Sequence, residues 1–232
     1  MKTLILGRGK TGSLVAEVGC QRGHEVSVLG AADNPNASAL TPARLVDTDV
    51  VIDFTSPHAV LANITACVHA RAKMVVGTTG WYSALPRIRK MVEESGIGFL
   101  YGANFSVGVN LFFDIARSAA AGLQHGYSGQ IFERHHVHKK DAPSGTLRKL
   151  AEEMRTAGYD RPINLSANRA GAHPGTHEIG FDSVADTITL RHTTRSREGF
   201  ARGALRAARW VAGKRGVFEF REILSELEGY RL

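Results

Sequence analysis

At 232 residues, with 43% hydrophobic and 22% charged side chains, the chain has material for one large or two small domains, and its composition is that of a soluble globular protein. A net charge of +7 invites an anionic partner, but the positive residues are scattered (Arg87, Arg89 and Lys90 in one place, arginines from Arg191 to Arg209 in another) with no aromatic-interleaved basic stripe, so no nucleic-acid partner is expected. No apolar run is long enough to span a bilayer, no signal-peptide pattern opens the chain, and Cys20 and Cys67 form no CxxC pair, so no membrane partner and a reducing, cytoplasmic setting are expected.

Residues 1–6 form a short apolar run that turns through Gly7-Arg8-Gly9-Lys10-Thr11-Gly12 into a helical face carrying Leu14, Val15 and Val18. Strand, GxGxxG and helix in that order point to a dinucleotide site at residues 7–12. Gly7 serves the tight turn, Gly9 the approach of a pyrophosphate, and Gly12 the close packing of helix on strand. Residues 25–29 read as the second strand. The acid that would bind a ribose 2′-hydroxyl after it is missing, since Leu29-Gly30-Ala31-Ala32 stands there, and Asp33 comes one or two residues late. No arginine cluster replaces it for a 2′-phosphate, so NADH and NADPH both stay open.

Residues 49–55 read as a buried strand, followed by a helix through Val60, Ile64 and Val68, then a strand at residues 73–76 ending in Gly77-Thr78-Thr79. A further helix carries Ile88, Met91 and Val92, and the strand at residues 97–101 ends in Gly102-Ala103-Asn104-Phe105. Ligands of open α/β sheets bind at the carboxyl ends of strands, which places both turns among the expected cofactor contacts, with Asn104 suited to a carboxamide.

The pattern changes beyond residue 105. A helix at residues 111–122 leads to a strand at residues 129–132, and then to Glu133-Arg134-His135-His136-Val137-His138-Lys139-Lys140-Asp141-Ala142-Pro143-Ser144-Gly145-Thr146. Leu147, Leu150, Ala151 and Met154 follow at helical spacing, with Ser144 as a good N-cap and Pro143 near the first turn. Imidazoles that exchange protons near neutral pH thus precede a helix N-terminus suited to a carboxylate or phosphate, which has the makings of an active site. His136 and His138 on one face of a strand would be half a zinc site, but no cysteine is near and no metal is expected. Residues 163–165, 175–181 and 187–192 read as strands, the last two antiparallel, and a helix runs over about residues 197–212. The end, residues 216–224, is expected to return to the first domain.

The motif at 133–146 resembles the signature of the 4-hydroxy-tetrahydrodipicolinate (dihydrodipicolinate) reductases. The likeness extends to the glycine turn, Gly77-Thr78-Thr79, residues 103–110, Gly175-Thr176-His177-Glu178, Ser196-Arg197 and Phe200-Ala201. It implies an α/β protein with an N-terminal Rossmann domain at 1–105 binding NADH or NADPH, an α+β substrate-binding and tetramerisation domain at 106–210, and a C-terminal segment at 211–232. It implies His135 as the acid/base residue and Lys139 as the proton donor, with His136, Ser144, Gly145 and Thr146 contacting a cyclic imine dicarboxylate. The implied activity is NAD(P)H-dependent reduction of that imine in diaminopimelate and lysine biosynthesis, by a homotetramer. The competing readings are another NAD(P)-dependent dehydrogenase acting on an amino acid, and a non-catalytic dinucleotide sensor, which needs neither His135 nor Lys139.

Overall fold

The computed structural model describes residues 1–123 and 126–227, so the last five residues of the expected C-terminal segment lie outside the described residues. Two compact units emerge. The first comprises Met1–Val107 together with Glu198–Leu232, the second Gly108–Arg197.

In the first unit, β1 (Lys2–Leu6), α1 (Lys10–Gln21), β2 (Glu25–Leu29), the short α2 (Pro42–Leu45), β3 (Val50–Asp53), α3 (Val60–His69), β4 (Met74–Val76), α4 (Leu85–Ser95) and β5 (Gly98–Tyr101) alternate along the chain. Their strands make a parallel sheet in the order β10-β5-β4-β3-β1-β2, where β10 is Gly216–Glu219. The central strands are apolar on both faces: β3 and β4 are buried at every residue, as a sheet covered by helices on both sides requires. Leu4, Leu6, Val51, Met74, Val76 and Phe99 pack one side, and Ile5, Val50, Ile52, Val75 and Leu100 the other. After β1 the chain moves outward to β2 and then crosses back to β3, so the switch point of the sheet lies between the carboxyl ends of β1 and β3.

The helix α7 (Glu198–Val211) belongs to this unit, although its first thirteen positions fall inside the 106–210 segment read from sequence as the second domain. Its apolar stripe of Ala201, Ala204, Leu205, Ala208 and Val211 packs into the same core as Val15, Val18 and Leu100. Small residues let the helix lie close to the sheet, and periodicity does not tell which sheet it will cover.

The second unit holds α5 (Val107–Gly122, its first residue counted with the first unit), β6 (Ser128–His135), α6 (Gly145–Thr156), β7 (Ile163–Arg169), β8 (Thr176–Asp182) and β9 (Thr187–Thr193). The sheet is mixed, in the order β7-β6-β8-β9: β6 pairs parallel with β7 and antiparallel with β8, and β8 antiparallel with β9. Ile131, Ile179 and Phe181 from the sheet meet Phe112, Phe113 and Ala116 of α5 and Leu147, Leu150 and Met154 of α6. Helix α5 starts four residues before the expected position, since burial of Val109 and Asn110 outweighs the weak helix propensity of Val107-Gly108-Val109.

Candidate active site

At the switch point of the first sheet, Gly7 leaves β1 with φ 104°, and a Cβ there would lie 2.3 Å from the Phe54 carbonyl oxygen. A Cβ on Gly12 would come within 2.0 Å of the Gly7 oxygen, so this glycine sets how closely α1 approaches the turn. Gly9 is different: it is the N-cap of α1, makes no side-chain cap hydrogen bond, and a Cβ on it would meet nothing within 4 Å. Lys10 and Thr11 occupy the first two helical positions, whose N–H groups have no intrahelical acceptor. An open space fronted by free amide donors and the positive end of a twelve-residue helix fits the pyrophosphate of a dinucleotide.

Beside it, Asp53 closes β3 with a fully buried carboxylate. Its Oδ1 accepts from Thr55 N at 2.9 Å, Thr55 Oγ1 at 2.7 Å and Thr78 Oγ1 at 2.7 Å, and its Oδ2 from Asn63 Nδ2 at 2.8 Å. The Thr78 hydroxyl, expected to face a cofactor, is thus spent beneath the surface, while Gly77 is half-buried against the Phe54 ring and Thr79 is exposed. Gly102 is buried, Ala103 is exposed, and Asn104 Oδ1 accepts from Ser106 N at 2.8 Å, which orients the amide. Phe105 is a core residue between Phe54 and Phe220, at ring separations of 5.9 and 4.7 Å. At the end of β2, Asp33 folds back: its Oδ2 accepts from Gly30 N at 2.8 Å and lies 3.1 Å from Arg8 Nη2. The acid that looks displaced along the chain therefore stands at the strand end in space, paired with a base from the glycine turn.

In the second unit, β6 runs three residues past its expected end, and its period-two alternation buries Ile131, Glu133 and His135 on one face. His136, Val137 and His138 lie beyond the strand in a turn closed by Lys139 N donating to His136 O, so His136 and His138 do not flank a strand-borne zinc site. Ser144 caps α6 as expected, its Oγ accepting from Leu147 N at 3.1 Å. Pro143 stands before the cap, outside the helix. Ser144 is buried, whereas Gly145 is exposed and Thr146 half-buried at the first two helical positions, where backbone N–H groups have no intrahelical acceptor. Lys139 Nζ lies 2.7 Å from Asp141 Oδ1, and this bond is the chief reason that the Asp141 carboxyl titrates below its usual range.

Three residues passed over in the sequence reading join this group. Glu133 Oε1 accepts from Ser144 N at 3.0 Å and from Arg169 Nη2 at 2.8 Å, while Oε2 faces His177 Nε2 at 3.4 Å and His135 Nδ1 at 3.6 Å. Burial alone pushes Glu133 up, but the Ser144 and Arg169 hydrogen bonds and the field of His135 together hold it below the usual carboxylate value. Burial lowers His135; Lys139 and Arg169 push the same way, and Glu133 opposes them. His177, more deeply set, is lowered to about 4, by burial first and by His135 next. At neutral pH the site therefore holds an ionised carboxylate and two neutral imidazoles. Among the described residues, Glu133, His135 and His177 are a group that brings possible metal-ligand atoms within 4.8 Å of one another, but the Arg169 guanidinium already occupies the same carboxylate and opposes a cation. The signals for these residues were present: period-two spacing links Glu133 to His135, and His177 sits in the quoted Gly175-Thr176-His177-Glu178 run.

A parallel sheet with a glycine turn at its switch point, joined in one chain to a mixed sheet carrying acid/base groups beside a helix N-terminus, defines a two-unit, Rossmann-type nicotinamide-dependent reductase. The family model described as dihydrodipicolinate reductase, N-terminus, matches residues 1–105, and the one described as dihydrodipicolinate reductase, C-terminus, matches residues 108–224. The chain is 35% identical over 240 aligned positions to a 4-hydroxy-tetrahydrodipicolinate reductase of Christiangramia forsetii, covering 98% of this chain and 99% of the relative. It is 37% identical to the enzyme of the same name from Laribacter hongkongensis over 84% of this chain and 80% of that one. Its fold is similar to that of a dipicolinate-bound dihydrodipicolinate reductase from Paenisporosarcina sp. TG-14, with a TM-score of 0.78, 24% identity, and coverage of 96% of this chain and 99% of that one. The chain belongs to the dihydrodipicolinate reductase family.

Proposed function

We propose that this chain catalyses the NADH- or NADPH-dependent reduction of 4-hydroxy-tetrahydrodipicolinate (dihydrodipicolinate) to tetrahydrodipicolinate, in diaminopimelate and lysine biosynthesis. The observation that carries the reading is one strand-turn-helix, β6 to α6, bearing a buried neutral imidazole, a lysine and a helix N-terminus in a member of this family. The first unit is the dinucleotide-binding domain, with residues 7–12, 77–79 and 102–105 around the cofactor. Thr78 and Phe105 act there from below, by fixing the turns. The second unit binds substrate and forms the contacts of a homotetramer, and the enzyme works in the cytoplasm. No helix among the described residues is long and apolar enough to cross a membrane.

The bound nicotinamide cofactor supplies a hydride. The protein's own part is position and field. Gly145 and Thr146 N–H groups hold a substrate carboxylate at the positive end of α6, with Ser144 fixing that helix end from inside and His136 adding a contact. Lys139, steadied by Asp141, donates a proton and stabilises developing negative charge, and His135 is the acid/base group.

The test is oxidation of NADH and NADPH by the purified protein, with substrate generated in place from pyruvate and aspartate semialdehyde by the preceding synthase. Oxidation that requires the synthase is the expected result, and His135→Gln and Lys139→Ala each lower turnover by roughly 10²–10⁴. Full turnover in both variants, or none with either cofactor in the folded wild type, overturns the reading.

A further inference from the structure

We propose that Glu133 is the positioning residue of this site: one buried carboxylate that fixes the orientation and tautomer of His135 and at the same time anchors the helix end that forms the anion cradle. The inference rests on the reading of His135 as the acid/base group. Glu133 is fully buried, and a buried ionised carboxylate is costly unless strong partners compensate it. Its two oxygens divide the work. Oε1 accepts from Ser144 N, which holds the cap residue of α6, and from Arg169. Arg169 in turn donates to the Asp141 carbonyl, and Asp141 carries Lys139 on its side chain. Oε2 makes no hydrogen bond of normal length and faces two imidazoles, His177 Nε2 at 3.4 Å and His135 Nδ1 at 3.6 Å.

An ionised carboxylate opposite Nδ1 favours the tautomer with the proton on that nitrogen, leaving Nε2 as the basic one. The surroundings of Nε2 agree. Gly175 sits beside it at φ 152°, and a Cβ there would stand 3.0 Å from Nε2, so any other residue would cover the nitrogen that must exchange protons. When Nε2 takes a proton, the imidazolium gains an ionised partner on its other side. This is the role an orienting carboxylate plays toward a catalytic histidine in acyl-transfer triads. His177 Nε2 also stands 3.3 Å from Ser144 Oγ, and a hydroxyl proton donated to it there makes this nitrogen an acceptor, which leaves Oε2 to His135.

Two measurements test this. The first needs no turnover. Long-range ¹H–¹⁵N NMR of the wild-type protein at neutral pH, with the His135 signals assigned by their loss in His135→Gln, reports the tautomer. Nδ1–H is expected, and Nε2–H overturns the proposal even if the enzyme reduces its substrate. The second is Glu133→Gln, which keeps the shape and removes the charge. The imidazole titration of His135 then moves to lower pH, because the one nearby group that raises it strongly has gone. The acid limb of kcat/KM moves with it, turnover falls roughly a hundredfold, and pyridine-2,6-dicarboxylate binds more weakly as the α6 end loosens. A variant that loses only thermal stability, with the His135 titration and acid limb unmoved, marks Glu133 as merely structural and refutes the proposal. An active wild type with an unmoved His135 sinks this inference alone; an inactive wild type sinks the functional reading, and with it the acid/base role that Glu133 is proposed to serve.

Discussion

Gly9 separates what the glycine turn does for the fold from what it does for a ligand. Its backbone, at φ −73° and ψ 178°, is open to any L residue, and a Cβ there meets no atom within 4 Å. Gly9→Ala is therefore expected to leave stability unchanged, or to raise it by about 0.4–1 kcal/mol through the stiffer unfolded chain. Gly12→Ala is the opposite case. Its Cβ would sit 2.0 Å from the Gly7 oxygen, some 1.4 Å inside ordinary contact, and α1 is held by buried Val15 and Val18 and so cannot drift away freely. Overpacking of that kind costs about 1–3 kcal/mol. If the space before Gly9 seats a pyrophosphate, a methyl group in it forces the phosphates off the amide donors, and a misplacement of about 1 Å costs on the order of a hundredfold. The assay is fluorescence titration of NADH and NADPH beside urea denaturation of both variants. Gly9→Ala with wild-type stability and weaker cofactor binding by about 10- to 100-fold is the expected pair of results. Wild-type affinity in Gly9→Ala would refute the placement of the pyrophosphate, whatever Gly12→Ala does.

The second unit is expected to lose stability in acid, and the chief reason is His177. Its folded pKa of about 4 lies below the unfolded value of 6.5, so the unfolded chain binds the proton first as pH falls. The stabilisation is complete above about pH 6.5 and is lost toward pH 4, as the buried ring takes up its proton. His135 and Glu133, both lowered, act in the same direction, and His177→Asn flattens the fall in urea midpoint over that range; an unchanged slope would show that His177 is already charged in the folded state. At the adenosine end, Asp33→Ala frees Arg8 and removes a carboxylate that would repel a 2′-phosphate, so kcat/KM for NADPH relative to NADH should rise several-fold. An unmoved ratio would place the nucleotide's ribose elsewhere.

Parallel strands of the first unit were legible because they are buried on both faces and read as short apolar runs between turn residues. Helix α7 was legible as a helix but not as part of this unit, since its alanine stripe would suit either sheet and only tertiary packing decides. Glu133 was hidden for a different reason. Period-two spacing puts Glu133 on the same face as His135, but nothing within residues 133–135 reveals that Arg169 arrives from β7 and Ser144 from the start of α6 to compensate a buried charge. Asp33 misled through linear distance: the chain doubles back over three residues and returns the acid to Gly30, the position it seemed to have left.

The two helix ends to which we assign anions are capped in opposite ways, and the difference matches the ligands proposed for them. α1 begins at a glycine with no side-chain cap, so the donors of its first turn remain for an outside partner. A pyrophosphate offers many acceptor oxygens and can use them. α6 begins at Ser144, whose hydroxyl already takes the Leu147 N–H and whose own N–H is taken by Glu133. That leaves the N–H groups of Gly145 and Thr146, a pair suited to the two oxygens of one carboxylate. Capping by Ser144 therefore narrows the proposed cradle, and the Glu133 carboxylate behind it ties that helix end to the imidazole of His135.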